Sequence, residues 1–239
     1  MFIGEGPGRH EEEMGRPFIG NSGQLLRDAL QKLNFQHFYI SNLVACRACE
    51  TIIDPATNMP RIRKGKYGRP DELMYRDVVP KPMEIEACRA RLDEEIYLVD
   101  PVIIVTLGAT AAEALLQKNV AITNERGRTQ AISIPGATMR AMHTEKKQVW
   151  GRKVHGEMRF PTETNEVKYL VLPTLHPAYV LRKLGDRGIN SPIRQFADDL
   201  RAAVKIYEWH MVNVLGLDPG NARTDVDLSN IGVYDEETE

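Results

Sequence analysis

The sequence predicts an α/β fold: a single domain with three layers, α/β/α, around a mostly parallel four-stranded central sheet. The first observation behind this prediction is that four short apolar runs alternate along the chain with segments whose apolar residues recur at helical spacing. The second is that such alternation favours parallel strands, which need crossover helices on both faces of the sheet. The third is length, because 239 residues of which 42% are hydrophobic suffice for one large core.

The first strand, helix and strand are predicted within the first 46 residues. A short strand runs from Met1 into the glycine-rich turn "GEGPG", and the helix "QLLRDALQKLNF" follows, with Asn21 or Ser22 available as its N-cap. The next segment, "HFYISNLVAC", is rich in β-branched and aromatic residues. It predicts a buried second strand that ends between Asn42 and Cys46.

The remaining core elements follow the same alternation. Pro82 opens the helix "PMEIEACRARLDEEIYLV", and the apolar run "PVIIVTLG" predicts a third strand before the helix "ATAAEALL". The fourth strand is "YLVLPTLHP", and a long helix, "SPIRQFADDLRAAVKIYEWH", comes after it. In parallel sheets, ligands bind beyond the carboxyl ends of the strands. We therefore expect the functional surface at the four loops "GEGPG", "SNLVAC", "LGAT" and "LHPAYVLR".

Two basic segments without strong periodicity interrupt this pattern, at about residues 50–80 and 138–165. Solvated surface and contact with nucleic-acid phosphates are both open interpretations of these insertions. The folded domain is expected to span residues 1–210. The acidic segment 211–239 is expected to be a poorly ordered tail.

Composition excludes several classes of protein. A net charge of -2 argues against a general polyanion binder. No apolar run approaches the roughly 18 residues of a membrane helix, and no basic segment followed by an apolar one opens the chain, which predicts a cytoplasmic protein without a membrane anchor. The three cysteines are an odd number in a chain without an export signal, so free thiols or metal ligands are expected rather than disulfides.

The glycine-rich turn and two nearby side chains are candidates for ligand contact. The turn lacks the Gly-x-Gly-x-x-Gly spacing of dinucleotide sites, and Gly6, Pro7 and Gly8 instead let the backbone approach a ligand closely. Phe18 either anchors its loop in the core or contacts the ligand. Asn42 either satisfies backbone groups or offers one donor and one acceptor to a planar ligand edge.

His176 lies one residue past the fourth strand and before Pro177, so its imidazole is expected at the rim of the loop. Tyr179 and its apolar neighbours follow, and Arg182 and Lys183 come next. An apolar and aromatic wedge flanked by positive charge suits a protein that enters a base stack and holds the adjoining phosphates.

Taken together, six blocks of sequence resemble the uracil-DNA glycosylase superfamily, and in particular its iron–sulfur family-four branch, which includes members related to phage DNA polymerase. The blocks are "GEGPG" at 4–8, "GRPFIGNSGQLL" at 15–26, "ISNLVAC" at 40–46, "EIEACRARLDEEI" at 84–96, "PVIIVTLGATAAEALL" at 101–116 and "LPTLHPAYVLR" at 172–182. The resemblance covers nearly all of residues 1–210 except the two basic insertions.

The resemblance implies a role for each of the candidate residues. Phe18 would stack on a uracil extruded from DNA, and Asn42 would bind its O4 and N3–H edge. His176 would donate to uracil O2 as negative charge develops there, and loss of one such donor costs about 3 kcal/mol. The Gly4–Gly8 turn would surround the base and the attacking water.

The sequence departs from the best-known glycosylase family at the residue that positions this water. That family has "GQDPYH" at the first motif, and its Asp falls on Gly6 here. Glu5 or Glu11 could replace it, or uracil could depart with little help from a base. Glu11 to Glu13 could also form no more than a solvated start of a helix.

The cysteines match the family-four pattern only in part. That branch holds a [4Fe-4S] cluster with four cysteines, and Cys46 and Cys88 fall on two of the four positions. The other two form a C-x-x-C pair upstream of the first strand, which this chain does not contain. Either the true start lies upstream of Met1, which is the favoured interpretation, or the cluster has been lost. Cys49 makes a third possible ligand.

The resemblance implies a DNA repair enzyme that flips uracil out of DNA and hydrolyses its N-glycosidic bond, leaving an abasic site. We expect it to act as a monomer on uracil-containing DNA. The alternative is a non-catalytic nucleic-acid-binding module linked to phage DNA replication, because the water-positioning Asp and a complete set of cluster cysteines are missing. A hydrolase of free nucleosides is a third alternative, which the wedge and the basic insertions argue against.

Overall fold

The computed structural model of the protein describes residues 1–65, 70–134, 167–186 and 188–216. The second basic insertion and residues 217–239 of the predicted tail therefore lie outside the described residues, whereas the first residues of that tail, up to Asn213, continue the last helix. Within them the predicted class is confirmed, since helices pack on a mostly parallel central sheet. None of the helices in these ranges is long and apolar enough to cross a bilayer.

The strands are β1 (Phe2–Gly4), β2 (Ile40–Asn42), β3 (Cys49–Thr51), β4 (Ile62–Arg63), β5 (Glu72–Leu73), β6 (Tyr75–Asp77), β7 (Ile104–Leu107), β8 (Gln130–Ile134) and β9 (Val167–Thr174). The helices are α1 (Arg9–Met14), α2 (Asn21–Lys32), α3 (Pro82–Val99), α4 (Ala109–Leu116), α5 (Ile122–Glu125), α6 (Pro177–Arg182) and α7 (Pro192–Asn213).

The central sheet has five strands rather than the predicted four, in the order β2-β1-β7-β9-β8. The first four are parallel to one another, whereas β8 pairs antiparallel with β9 at the edge. Side chains of β8 alternate between more and less exposed positions instead of forming a continuous apolar run. The four predicted strands are continuous apolar runs, and β8 was not predicted because it lacks such a run.

Alternation along each strand supplies the two faces of the sheet. Phe2 packs into the cluster formed with α2, α6 and α7, whereas Ile3 packs into the cluster formed with α3 and α4. The neighbouring strands follow the same rule, and Val105 and Ile104 face opposite clusters. The three-layer α/β/α arrangement follows from this alternation.

The predicted helices agree closely with the structure. The predicted segments "PMEIEACRARLDEEIYLV" and "ATAAEALL" coincide with α3 and α4. The predicted N-cap of α2 is wrong, because Gly20 holds that position without a side-chain hydrogen bond and both Asn21 and Ser22 lie inside the helix. The second strand ends at Asn42 as predicted but begins only at Ile40.

The first basic insertion forms a β-ribbon. Strands β3 and β6 pair antiparallel, and β4 and β5 continue the ribbon as a second short ladder. Arg61 pairs with Asp54 at 3.5 Å, and Arg76 pairs with Glu50. These arginines are thus already partly neutralised within the protein. Solvated surface and phosphate contact both stay open interpretations of this segment.

A buried polar network ties α7 to the end of β9. The carboxylate of Asp199 accepts hydrogen bonds from Thr174 Oγ1 at 2.6 Å and from Arg126 Nε at 2.9 Å. Burial raises the pKa of Asp199 to about 6, although both partners act in the opposite direction. Thr174 is the last residue of β9, so the network fixes the point from which the chain continues to His176.

Candidate active site

A cavity of about 450 Å³ opens at the carboxyl end of the parallel strands. Glu5 follows β1, Gly108 follows β7 and His176 lies just after β9, so three neighbouring strands deliver residues to one cavity. This is the edge at which parallel sheets bind ligands. Its lining includes the predicted site residues Glu5, Gly6, Pro7, Gly8, Glu11, Phe18, His176 and Arg182.

Phe18 and Asn42 meet over Gly4. A Cβ atom added to Gly4 would lie 2.5 Å from the Phe18 ring and 2.6 Å from Asn42 Oδ1, so only glycine leaves room for both groups. Helix α2 approaches the loop just as closely, because a Cβ on Gly23 would lie 1.8 Å from the Phe18 carbonyl oxygen. Phe18 itself is buried and has a φ of 55°, in the left-handed region.

The amide of Asn42 is buried with an unused acceptor. Only 7% of the residue is exposed, and its Oδ1 has no hydrogen-bond partner within the described part of the chain. Asn42 does not belong to the lining of the 450 Å³ cavity, but its Oδ1 lies beside the Phe18 ring that does. A buried acceptor without a partner is costly, so it marks a position at which a ligand donor would be stabilising.

His176 is held as a neutral imidazole. Its Nδ1 accepts a hydrogen bond from the Ala178 amide at 3.1 Å, which leaves the proton on Nε2. Burial, together with the charge of Arg182, lowers the pKa of His176 to about 4. The ring centroid lies 6.1 Å from that of Phe18. The histidine is therefore a hydrogen-bond donor at neutral pH, without a positive charge.

The two candidate carboxylates have different surroundings. Glu5 Oε2 accepts a hydrogen bond of 2.6 Å from Thr110 Oγ1, at the start of α4. Glu11 Oε1 accepts from the backbone amides of Ile19 and Gly20, at 3.1 and 2.9 Å. Glu11 therefore ties down the loop that carries Phe18, whereas Glu5 contacts one hydroxyl at the cavity wall.

The predicted wedge lies on α6, at the rim of the cavity. Tyr179, Arg182 and Lys183 are all exposed, and only Arg182 of these three lines the cavity. Lys183 lies 4.0 Å from Asp186, an exposed pair that contributes little to stability. The helix thus presents an aromatic ring and two cations to solvent beside the cavity.

The three cysteines are free thiols; Cys46 and Cys49 are exposed and Cys88 is partly buried. Within the described residues, no group of three or more metal-ligating side chains could hold a metal ion. A four-iron cluster with four thiolate ligands needs one more cysteine than the sequence contains. The residues present therefore do not by themselves fit the cluster that the resemblance implies.

Sequence reasoning missed two parts of the cavity. Thr110 belongs to the "LGAT" loop that the strand pattern had already placed at the functional edge, so its position was predictable but its partner Glu5 was not. Asp77, Val78 and Pro80 line the cavity from the end of the ribbon. No periodicity or motif in the first basic insertion indicated that contribution.

The structure is that of an α/β protein whose parallel strand ends hold a buried ring, an amide acceptor without a partner in the described residues and a neutral imidazole donor. Together these groups could stack on a flat ring and hydrogen-bond its polar edge. The particular family follows from comparison with known proteins. Residues 1–201 match the family described as the Uracil DNA glycosylase superfamily. The chain belongs to that superfamily, and the family predicted from its six sequence blocks is confirmed.

Individual relatives agree with this assignment. The chain is similar to the Type-4 uracil-DNA glycosylase of Thermotoga maritima, at 31% identity over 76% of this chain and 66% of the relative. It is also similar to the proteins of the same name from Pyrobaculum aerophilum, at 28% identity over 79% and 70%, and from Sulfurisphaera tokodaii, at 30% over 76% and 60%. The matched region thus spans about two thirds of the length of these relatives.

Proposed function

We propose that the protein is a uracil-DNA glycosylase that hydrolyses the N-glycosidic bond of a uracil flipped out of DNA and leaves an abasic site. The observation that carries the proposal is that two groups lie beside the Phe18 ring: Asn42 Oδ1, which has no partner in the described part of the chain, and the neutral imidazole of His176. The names of the relatives support the same activity. Superfamily membership supports DNA as the partner.

The base is recognised by stacking and by its polar edge. The Phe18 ring stacks on the uracil plane, and the apolar contact favours a base that has left the helix. Asn42 Oδ1 accepts from uracil N3–H, and its amide nitrogen donates to O4. Cytosine reverses both of these groups, with an acceptor at N3 and a donor at N4, so the same amide orientation rejects it.

Bond cleavage leaves negative charge on the uracil ring and positive character on the sugar. His176 Nε2–H donates to O2, where that charge develops. The histidine does this without a charge of its own, since burial lowers its pKa to about 4. A donor fixed in place before the reaction contributes about 3 kcal/mol to the stabilisation of such an anion.

In this proposal Glu5 positions the attacking water and accepts its proton. Its Oε2 is occupied by Thr110, which orients the carboxylate and leaves the second oxygen for the water that adds to C1′. Glu11 is assigned to loop support instead, because one of its oxygens already accepts two backbone amides. Tyr179 enters the stack at the vacated position, and Arg182 and Lys183 hold the flanking phosphates.

No step of the proposed reaction involves an iron–sulfur cluster. Cys46 and Cys88 are the proposed ligands if further cysteines from outside this chain's sequence complete a [4Fe-4S] site, with Cys49 as an additional candidate. The monomeric state and the cytoplasmic location predicted from the sequence stay part of the proposal.

The test is a single-stranded oligonucleotide with one uracil, incubated with the protein and then treated with hot alkali. Cleavage at the uracil position, and none with thymine or cytosine at that position, is the expected result. His176→Gln is the matched control, because it keeps a polar side chain but moves the donor. Binding of the oligonucleotide without cleavage would overturn the proposed glycosylase activity and favour a non-catalytic nucleic-acid-binding module.

A further inference from the structure

Asn42 lies at the end of β2, which is an edge strand of the central sheet among the described residues, with β1 as its neighbour. From the hydrogen bonds between α3 and the end of β2 we infer that Arg91, on α3, is a positioning residue that fixes the direction of the Asn42 amide. This inference rests on the proposed function, because it gives Arg91 an effect on base recognition through Asn42.

The guanidinium group of Arg91 holds the backbone at the strand end. Its Nη2 donates to the carbonyl oxygens of Asn42, at 2.5 Å, and of Leu43, at 3.0 Å. Its Nη1 donates to Glu95 Oε1 at 2.6 Å, and Glu95 lies one turn further along the same helix. One side chain thereby ties α3 to the carbonyls at which β2 ends.

Ser41, on β2, completes the hydrogen-bond network of Arg91 and Glu95. Its hydroxyl donates to Glu95 Oε2 at 2.5 Å and accepts from Arg91 Nη1 at 3.3 Å. Successive side chains of a strand point to opposite faces, so a Ser41 held against α3 directs Asn42 to the other face. That is the face on which Asn42 Oδ1 meets Gly4 and Phe18.

The consequence is a requirement for the shape of arginine as well as for its charge. A planar guanidinium can donate in two directions at once, whereas a lysine ammonium is a flexible point charge. A displacement of about 1 Å at a recognition group costs on the order of 100-fold in rate. Loss of the Arg91 contacts is therefore expected to reduce base recognition although Arg91 touches no base.

Arg89 provides a matched control on the same helix. Its Nε donates to Asp93 at 2.7 Å, again one turn apart, and its Nη1 donates to the Ala114 carbonyl at 3.2 Å. Both arginines thus combine an ion pair within the helix with a bond to a backbone carbonyl. The contact of Arg89 leads to α4, and that of Arg91 leads to the strand end beside the site.

The experiment compares wild type, Arg91→Ala, Arg91→Lys and Arg89→Ala. Excision from a uracil oligonucleotide and its inhibition by free uracil are measured together with thermal unfolding and with hydrogen exchange of the segment 40–44. Arg91→Ala is expected to lower kcat/KM on the order of 100-fold and to weaken inhibition by uracil, with faster exchange of 40–44. Arg89→Ala is expected to stay within about threefold of wild type at a similar loss of melting temperature.

Equal losses of activity in Arg91→Ala and Arg89→Ala, or unchanged exchange of 40–44 in Arg91→Ala, would overturn the inference. Arg91→Lys keeps the charge beside Glu95 but not the planar guanidinium, so it tests the inference if the alanine variant does not fold. A loss of excision in Arg91→Lys would support the inference, and wild-type excision would overturn it. Wild-type protein that fails to excise uracil would refute the proposed function alone, because the exchange of 40–44 still tests whether Arg91 fixes the strand end.

Discussion

Replacement of Asn42 by alanine separates the stability of this protein from its proposed activity. In the wild type, Asn42 Oδ1 is buried without a hydrogen-bond partner in the described structure. Its removal should recover about 1–3 kcal/mol of desolvation cost, offset by a comparable loss of packing contacts. The Arg91 contact is to the backbone carbonyl and survives the substitution. We therefore expect the free energy of unfolding to change by less than about 1 kcal/mol.

The effect on excision should be much larger. In the complex, alanine leaves the N3–H and O4 groups of uracil without partners in a closed site. The loss of about 3 kcal/mol of transition-state stabilisation corresponds to a rate of excision lower by more than 100-fold. A folded protein with wild-type stability and almost no activity is the expected phenotype.

The assay combines single-turnover excision from a single-stranded uracil oligonucleotide with urea unfolding of the same preparations. Thr106→Val is the matched control, because Thr106 is fully buried on β7 and its Oγ1 also lacks a partner in the described structure. That variant should gain stability and keep its activity, since alternation places Thr106 on the same face of β7 as Ile104, away from Phe18. Excision by Asn42→Ala within about threefold of wild type would remove Asn42 from the site. A loss of activity that merely follows unfolding would contradict the predicted separation of stability from activity.

Three further predictions concern other residues of the site. Because burial lowers the pKa of His176 to about 4, the excision rate should show no inflection near its ordinary value of 6.5, and a rate that changes through pH 6.5 would contradict a neutral imidazole. Between about pH 6.5 and 4, His176 binds a proton in the unfolded chain but not in the folded protein. The free energy of unfolding should therefore fall as the pH drops through that window, and it should fall less in His176→Gln. Glu5→Gln and Thr110→Val should lower kcat at an unchanged melting temperature. Glu11→Ala should instead lower the free energy of unfolding by about 1–3 kcal/mol, because it frees two backbone amides. A loss of kcat in Glu11→Ala together with a loss of stability in Glu5→Gln would exchange the proposed roles of the two carboxylates. Protein made from this sequence should contain less than one four-iron cluster per chain by iron analysis and absorbance near 400 nm, because it has three cysteines and the described residues bring no three metal-ligating side chains together. A stoichiometric cluster would contradict this and would show that a further side chain or an external ligand completes the site.

Local signals in the sequence were sufficient for most of the central elements. Pro82 and the helical period that follows it predicted α3, and the apolar run before Gly108 predicted β7. Strand β8 and the ribbon were missed, since their pairing joins segments that are polar on one face or on both. Such strands are defined by the partner that they meet, and no local period marks them.

In the candidate site, too, some features were predictable from local sequence and others depended on the fold. The sequence by itself determined that Phe18, Asn42 and His176 lie at strand ends or in adjoining loops, because these positions follow from local patterns and from the six family blocks. Only the tertiary structure decided that Glu5 and Glu11 have different hydrogen-bond partners. Glu5 finds its partner 105 residues away, on Thr110, and the low pKa of His176 comes from burial by the packed fold. Hydrogen-bond partners and desolvation depend on groups that folding brings together, so no local stretch of sequence contains them.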